Sequence, residues 1–207
     1  RLSGGLDILK KVVNKSNIPF VTTWSTCDFF PTDYNLNLGI IGLYGQRGAN
    51  KAINNADLLI CIGTHLNVTH TSTRLDEFSK ESKKIIINID KEEIKNSSVQ
   101  FDLKVNTDAK FFLENFQKKV IPLSKKNYFK FKSLNWYKSK ETKYINSNNL
   151  INSLTKVNKE KKSCIVIDGG GTALYAGFQS SNINYGQRVI CSTAISSMGT
   201  GLAETIG

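Results

Sequence analysis

The sequence predicts an α/β protein built on parallel sheets, one whole unit followed by the opening of a second. Three observations carry this. The runs DLLICI (57–62) and KIIINI (84–89) are almost continuously apolar, which suits strands covered on both faces, as parallel strands are. Segments of helical periodicity alternate with them. After a long polar stretch, IVIDGGGTA (165–173) starts the strand–turn–helix pattern again.

The elements follow in order. Leu6 to Lys15 is an amphipathic helix with Leu6, Leu9, Val12 and Val13 on one face. Asn17-Ile18-Pro19 breaks it and opens a strand from Phe20 to Thr23. A loop with Pro31 and Asp33 leads to an apolar, glycine-containing stretch, Leu38 to Leu43. Gln46 to Asn55 is a helix with Ala49, Ala52 and Ile53 inward. The strand Asp57 to Ile62 ends at Gly63-Thr64. A short helix is expected at Asp76 to Lys80, and the strand Lys84 to Ile89 ends at Asp90. Glu92 to Asn96 forms a helical turn, and Phe101 to Val105 a third short strand. Asp108 to Val120 is a helix with Asp108 as N-cap and Phe111, Phe112, Leu113 and Phe116 available for packing. These elements make a first unit, residues 1–120.

Residues 121–162 read as a Lys-rich connection with one helix, Asn148 to Val157. Its aromatics (Tyr128, Phe129, Phe131, Trp136, Tyr137 and Tyr144) are expected to pack on the neighbouring units. The second unit, 163–207, has strands at Ile165 to Ile167 and Arg188 to Cys191, a helix at Ala173 to Gln179, and a helix starting at Gly201. Both ends read as internal to a longer protein, since there is no initiator Met and a helix is cut at Gly207.

Bulk composition narrows the function classes. The formal net charge is +11, and the excess concentrates between Lys118 and Lys143, where there is no Arg. Arg is the usual reader of bases and the bidentate partner of phosphate, so nucleic-acid binding is disfavoured despite the Lys–aromatic interleaving. No apolar run approaches the roughly 20 residues of a membrane helix. Cys27, Cys61, Cys164 and Cys191 form no CxxC pair, which points to small buried thiols in a reducing cytoplasm.

In parallel sheets ligands bind beyond the carboxyl ends of strands, here Thr23-Trp24, Gly63-Thr64-His65 and Asp90. His65 and His70 lack Cys, Asp or Glu at metal-ligand spacing and read as surface-loop residues. Two segments carry more. In Asp168-Gly169-Gly170-Gly171-Thr172, glycines let a phosphate approach a helix N-terminus; a plain tight turn would give the same spacing. In STAISSMGTG (192–201), small residues run up to Met198-Gly199, a loop able to wrap a flat cofactor; Met198 as ordinary core is the alternative. No nucleophile–base pair or metalloprotease motif is present, so any chemistry would come from a cofactor.

Several runs together resemble a known family. NIPFVTTWSTCDFFPTDYNLNLGIIGLYGQRGANKAINNADLLICIGTHLN, KKIIINIDKEEI and RVICSTAISSMGTGLAETIG are similar, in order and spacing, to thiamine-diphosphate-dependent enzymes of the acetolactate synthase type. The resemblance implies a parallel-sheet Rossmann-like middle domain followed by a truncated α/β thiamine-diphosphate-binding domain. It implies Met198 as the hydrophobic wedge that bends the cofactor into a V, with Ser196, Ser197 and Gly199 along it. It implies Asp168, Gly169, Gly170, Gly171 and Thr172 at the turn near the diphosphate. Thiamine diphosphate and Mg2+ are the implied cofactors, a 2-oxo acid the substrate, and a homodimer or homotetramer the assembly.

Two departures stand out. Typical members carry Gln-His where this chain has Gly171 and Thr172, and arginines that hold FAD where it has His65 and Thr69. The second speaks against FAD. The family's glutamate is expected before Arg1 and its Gly-Asp-Gly…Asn metal motif after Gly207, so no catalytic or metal residue is expected within the fragment, which alone should be inactive. The rival readings are a non-catalytic nucleotide-binding or subunit-assembly module of the same fold, and a nucleic-acid-binding protein.

Overall fold

The computed structural model describes residues 1–124, 128–135, 143–158, 160, 162–192 and 195–207. Helix α1 (Leu6–Ser16) buries Val12 and Val13 and closes at Asn17. Asn17 adopts a left-handed conformation, φ 56°, and its N–H donates to Val13 O, a helix stop that Asn tolerates well. Strand β1 (Phe20–Thr22) pairs in parallel with β2 (Asn37–Ile40). The apolar stretch after β2 leaves the sheet at Ile41, because Gly42, with φ 98°, turns the chain toward α2 (Arg47–Asn54).

A second sheet has the order β3 (Leu58–Ile62), β4, β5. Between β3 and β4 lie a one-turn helix, α3 (Val68–Thr71), and a 3-10 turn at Leu75–Glu77. The predicted helix at Asp76–Lys80 is reduced to that turn, since Ser79 has φ 47° and ends it. Strand β4 (Lys83–Asn88) is central, and α4 (Lys91–Asn96) links it to β5 (Leu103–Asn106). Ile86 and Ile87 of β4 are almost wholly buried, each worth about 1.5–3 kcal/mol in apolar burial. Among the described residues β3 pairs only with β4, and Leu58 at its start is 47% exposed. The expectation of cover on both faces therefore holds for β4 but not for the start of β3.

Helix α5 (Ala109–Lys119) packs along α1. Asp108 caps it, accepting from the N–H groups of Lys110 and Phe111. Leu113 is buried and the Phe112 and Phe116 rings stack at 5.5 Å, whereas Phe111 is exposed. The connection then docks on the first unit through α6 (Phe129–Lys132). Phe131 is buried but Tyr144 is exposed; the packing expected of Trp136 and Tyr137 lies outside the described residues. Helix α7 (Ser147–Val157) packs on α8 (Gly171–Ser180), which follows β6 (Cys164–Val166). Strand β7 (Arg188–Ile190) pairs with β6 in parallel, and α9 (Gly201–Ile206) closes the described chain. All strand pairs among the described residues are parallel.

Two apolar cores result. One joins α2, β3 and β4 through Ala49, Ile53, Cys61 and Ile86. The other combines Cys27 and Ile40 with Ile167, Leu174, Phe178 and Ile183. The second core thus draws on both the β1–β2 region and the β6–α8 unit. Cys27 and Cys61 are buried as expected, but Cys164 is exposed and Cys191 only half-buried. Cys164 is the first residue of β6, at the end of a two-stranded sheet.

Candidate functional site

The two segments singled out in the sequence meet in space. Beyond β6 the chain turns through Asp168, whose carboxylate accepts three backbone N–H bonds. They come from Gly201 at 2.8 Å, Gly199 at 3.0 Å and Gly170 at 3.1 Å. The first two lie in the Met198–Gly201 turn, about thirty residues away in sequence. These donors, Gly201 foremost, hold the Asp168 carboxyl below its ordinary range. Asp168 is therefore a positioning residue that ties the glycine turn to the small-residue loop.

Packing enforces the same closure. A Cβ on Gly169 would lie 2.6 Å from Ser197 O and 2.7 Å from Ser196 O, so only glycine lets the loop sit against the turn. Ser196 and Gly199 both take positive φ, 53° and 85°, and the loop curls back there. Gly170 is the N-cap of α8 and supplies no side-chain cap. A Cβ on Gly170 would meet only Asp168 Oδ1, at 3.8 Å, and one on Gly171 would meet nothing within 4 Å. The first turn of α8 thus presents backbone N–H groups to an open approach, with Thr172 and Ser196 exposed beside it. Such a cradle suits the phosphates of a cofactor. Met198 projects nearby with 80% of its surface exposed, as do Ile195 and Leu202. The arrangement thus offers an anion-receiving end at the start of α8 and an exposed apolar end at Met198.

The strand ends carry other contacts. His65 Nδ1 lies 2.6 Å from Glu93 Oε1, joining the loop after β3 to α4. Asp90 caps α4 by accepting from the N–H groups of Glu92 and Glu93. Trp24 packs against His70 with the ring centres 4.3 Å apart and the planes tilted by 44°, and it neighbours Tyr44 and Phe178. His70 is not a surface residue; it is 7% exposed, because α3 folds its ring inward onto Trp24. Neither ring nitrogen has a hydrogen-bond partner among the described residues. Burial lowers its pKa from 6.5 to about 4. Burial disfavours the thiolate at three of the cysteines, pushing Cys61 up to about 12 and Cys191 to about 11, and Cys27 higher still. No group of three metal-ligating side chains occurs among the described residues.

One charged group escaped the sequence reading. Asp28, its side chain 1% exposed, pairs with Arg1 at 2.7 Å and Arg188 at 3.0 Å and accepts from Val189 N–H. It joins the loop after β1 to β7. Nothing in its neighbours Cys27 and Phe29 signals such partners, which are 27 and 160 residues distant.

Comparison with known proteins identifies the family of the first unit. The family described as "Thiamine pyrophosphate enzyme, central domain" matches residues 1–116. The chain is 33% identical over 126 residues to the probable acetolactate synthase large subunit of Methanocaldococcus jannaschii, covering 61% of this chain and 21% of that protein. It is 32% identical over 167 residues to the protein of the same name from Methanococcus aeolicus, covering 80% and 25%. With the mitochondrial acetolactate synthase catalytic subunit of Saccharomyces cerevisiae it shares 25% over 221 aligned residues, 98% and 32%. The chain spans only 21% to 32% of the length of these relatives. With more than half of its residues matched, the chain belongs to the thiamine pyrophosphate enzyme family and carries that family's central domain.

Proposed function

We propose that the chain is part of a thiamine-diphosphate-dependent carboligase or decarboxylase acting on a 2-oxo acid, similar to acetolactate synthase large subunits. The carrying observation is the Asp168 clamp, which brings the Met198 loop against the glycine turn at the start of α8. In this reading the domains are 1–120, a middle domain; 121–162, a connection; and 163–207, the beginning of the cofactor-binding domain. Gly169, Gly170, Gly171 and Thr172 receive the diphosphate end, and Ser196, Ser197, Met198 and Gly199 line the ring end. When bound, the cofactor supplies an electron sink for cleaving a bond beside a keto carbon. The chain's own task is positioning: α8 offers N–H donors, Met198 offers a bulky apolar support, and Asp168 fixes their spacing. Mg2+, a homodimeric or homotetrameric assembly and a cytoplasmic location belong to the same proposal. No described helix is long and apolar enough to cross a membrane.

The test uses the full-length protein that contains this chain. Thiamine diphosphate is titrated calorimetrically with Mg2+, and pyruvate consumption is then assayed. Binding with turnover supports an acetolactate synthase activity. Binding without turnover keeps the cofactor and moves the substrate to another 2-oxo acid. A folded protein that binds no cofactor overturns the proposal and leaves the assembly-module reading.

A further inference from the structure

A small cavity lies where β1, β2, α6 and the end of α8 converge. Its volume is about 20 Å3, and a cavity needs about 10–15 Å3 on this measure to hold one water. Most of the polar groups lining it are already engaged. Gln46 accepts from Ile40 N–H and donates to Gln179 O. Asn37 donates to Pro31 O and accepts from Gly39 N–H. Asn135 donates to Leu38 O and accepts from Gly48 N–H.

Three groups are left over. Thr22 Oγ1 and Ser181 Oγ are buried without a hydrogen-bond partner among the described residues, and Ser181 as a whole is only 5% exposed. The Lys132 ammonium has three protons. It donates to Tyr34 O at 2.9 Å and Thr32 O at 3.3 Å, which leaves one proton unassigned among the described residues. All three residues line the cavity. Two hydroxyls without a partner among the described residues and a spare ammonium proton thus belong to residues that line a cavity large enough for a water, a set that calls for an occupant.

We propose that a single structural water is bound in this cavity, accepting from Lys132 Nζ and bonded to Thr22 Oγ1 and Ser181 Oγ. Three bonds are the usual number for a buried water. The Lys132 charge argues against a cation there. The water joins β1, the connecting segment at α6 and the C-cap of α8, so it sits on the seam between the two parts of the chain. This inference does not depend on the proposed cofactor.

A high-resolution crystal structure of the full-length protein tests it, beside the variant T22V/S181A. The expected result is a fully occupied peak about 2.7–3.2 Å from at least two of the three groups, lost in the variant. An empty wild-type cavity would overturn the proposal. So would a peak that persists in T22V/S181A. Should that variant fail to fold, the single variant S181A is expected to weaken the peak, and an unchanged peak there would also overturn it.

Discussion

At the residue scale, His70 and Asp168 show how one side chain governs a segment. His70 titrates at 6.5 in a free setting and at about 4 when folded, because burial opposes its charged form. Between these values the unfolded chain binds the proton and the folded chain does not. Its contribution to stability is therefore complete above pH 6.5 and is lost as pH falls toward 4, by at most about 3 kcal/mol. Replacing His70 with Phe keeps a ring against Trp24 and removes the titration. Urea midpoints at pH 7 and pH 4.5 should fall further for the wild type than for H70F; equal falls would refute this. Asp168 works through acceptance rather than titration. Asp168→Ala removes the shared acceptor of Gly170, Gly199 and Gly201. Hydrogen exchange at the Gly199 and Gly201 amides should accelerate at least tenfold, with exchange in β3–β5 unchanged.

At the element scale, α6 is held by contacts that permit no extra atom. A Cβ on Gly48 of α2 would collide with the carbonyl oxygen of Phe131, a backbone group that cannot swing aside. Overpacking of this kind costs about 1–3 kcal/mol, so Gly48→Ala should lower stability by that amount in chemical denaturation, despite its better helix propensity. An unchanged or raised midpoint would show that α6 is not docked there. The sequence anticipated that Phe131 packs on a neighbouring unit, but not the helical turn that carries it or its approach to Gly48. Periodicity made α1, α5 and α7 legible to within a residue or two, because each sets apolar residues at helical spacing. The strands at 57–62 and 84–89 were legible because their apolar runs are continuous. Helices α3 and α6 are single turns, too short to show a period, and they were missed. For the same reason His70 was read as exposed: its burial depends on where α3 turns, not on its neighbours. The meeting of Asp168 with residues 199 and 201 is likewise a matter of long-range folding, although both segments stood out for their small residues.

At the scale of the whole molecule, the sharing of the second core decides how the parts depend on each other. Phe178 on α8 is 2% exposed and sits in one cluster with Ile40 of β2 and Cys27 in the loop after β1. The β3–β5 sheet is built on a different cluster, around Ile86, Cys61 and Ile53. Loss of a buried Phe side chain costs about 3–5 kcal/mol through lost transfer energy and the cavity left behind. If the two cores were both local to their own units, Phe178→Ala would loosen only β6, β7 and α8. Because its cluster reaches across the chain, the variant should also speed exchange of the Ile40 amide, which donates to the Gln46 side chain, and of the Ile41 amide, which donates to Thr22 O in β1. Amides of Ile86 and Ile87 in β4 should keep their protection wherever local opening, not global unfolding, governs exchange. Acceleration confined to residues 163–192 would mean that the units are merely adjacent. Acceleration in β1–β2 but not in β4 would mean that the β6–α8 unit and the β1–β2 sheet open together, as one cooperative body distinct from the central sheet.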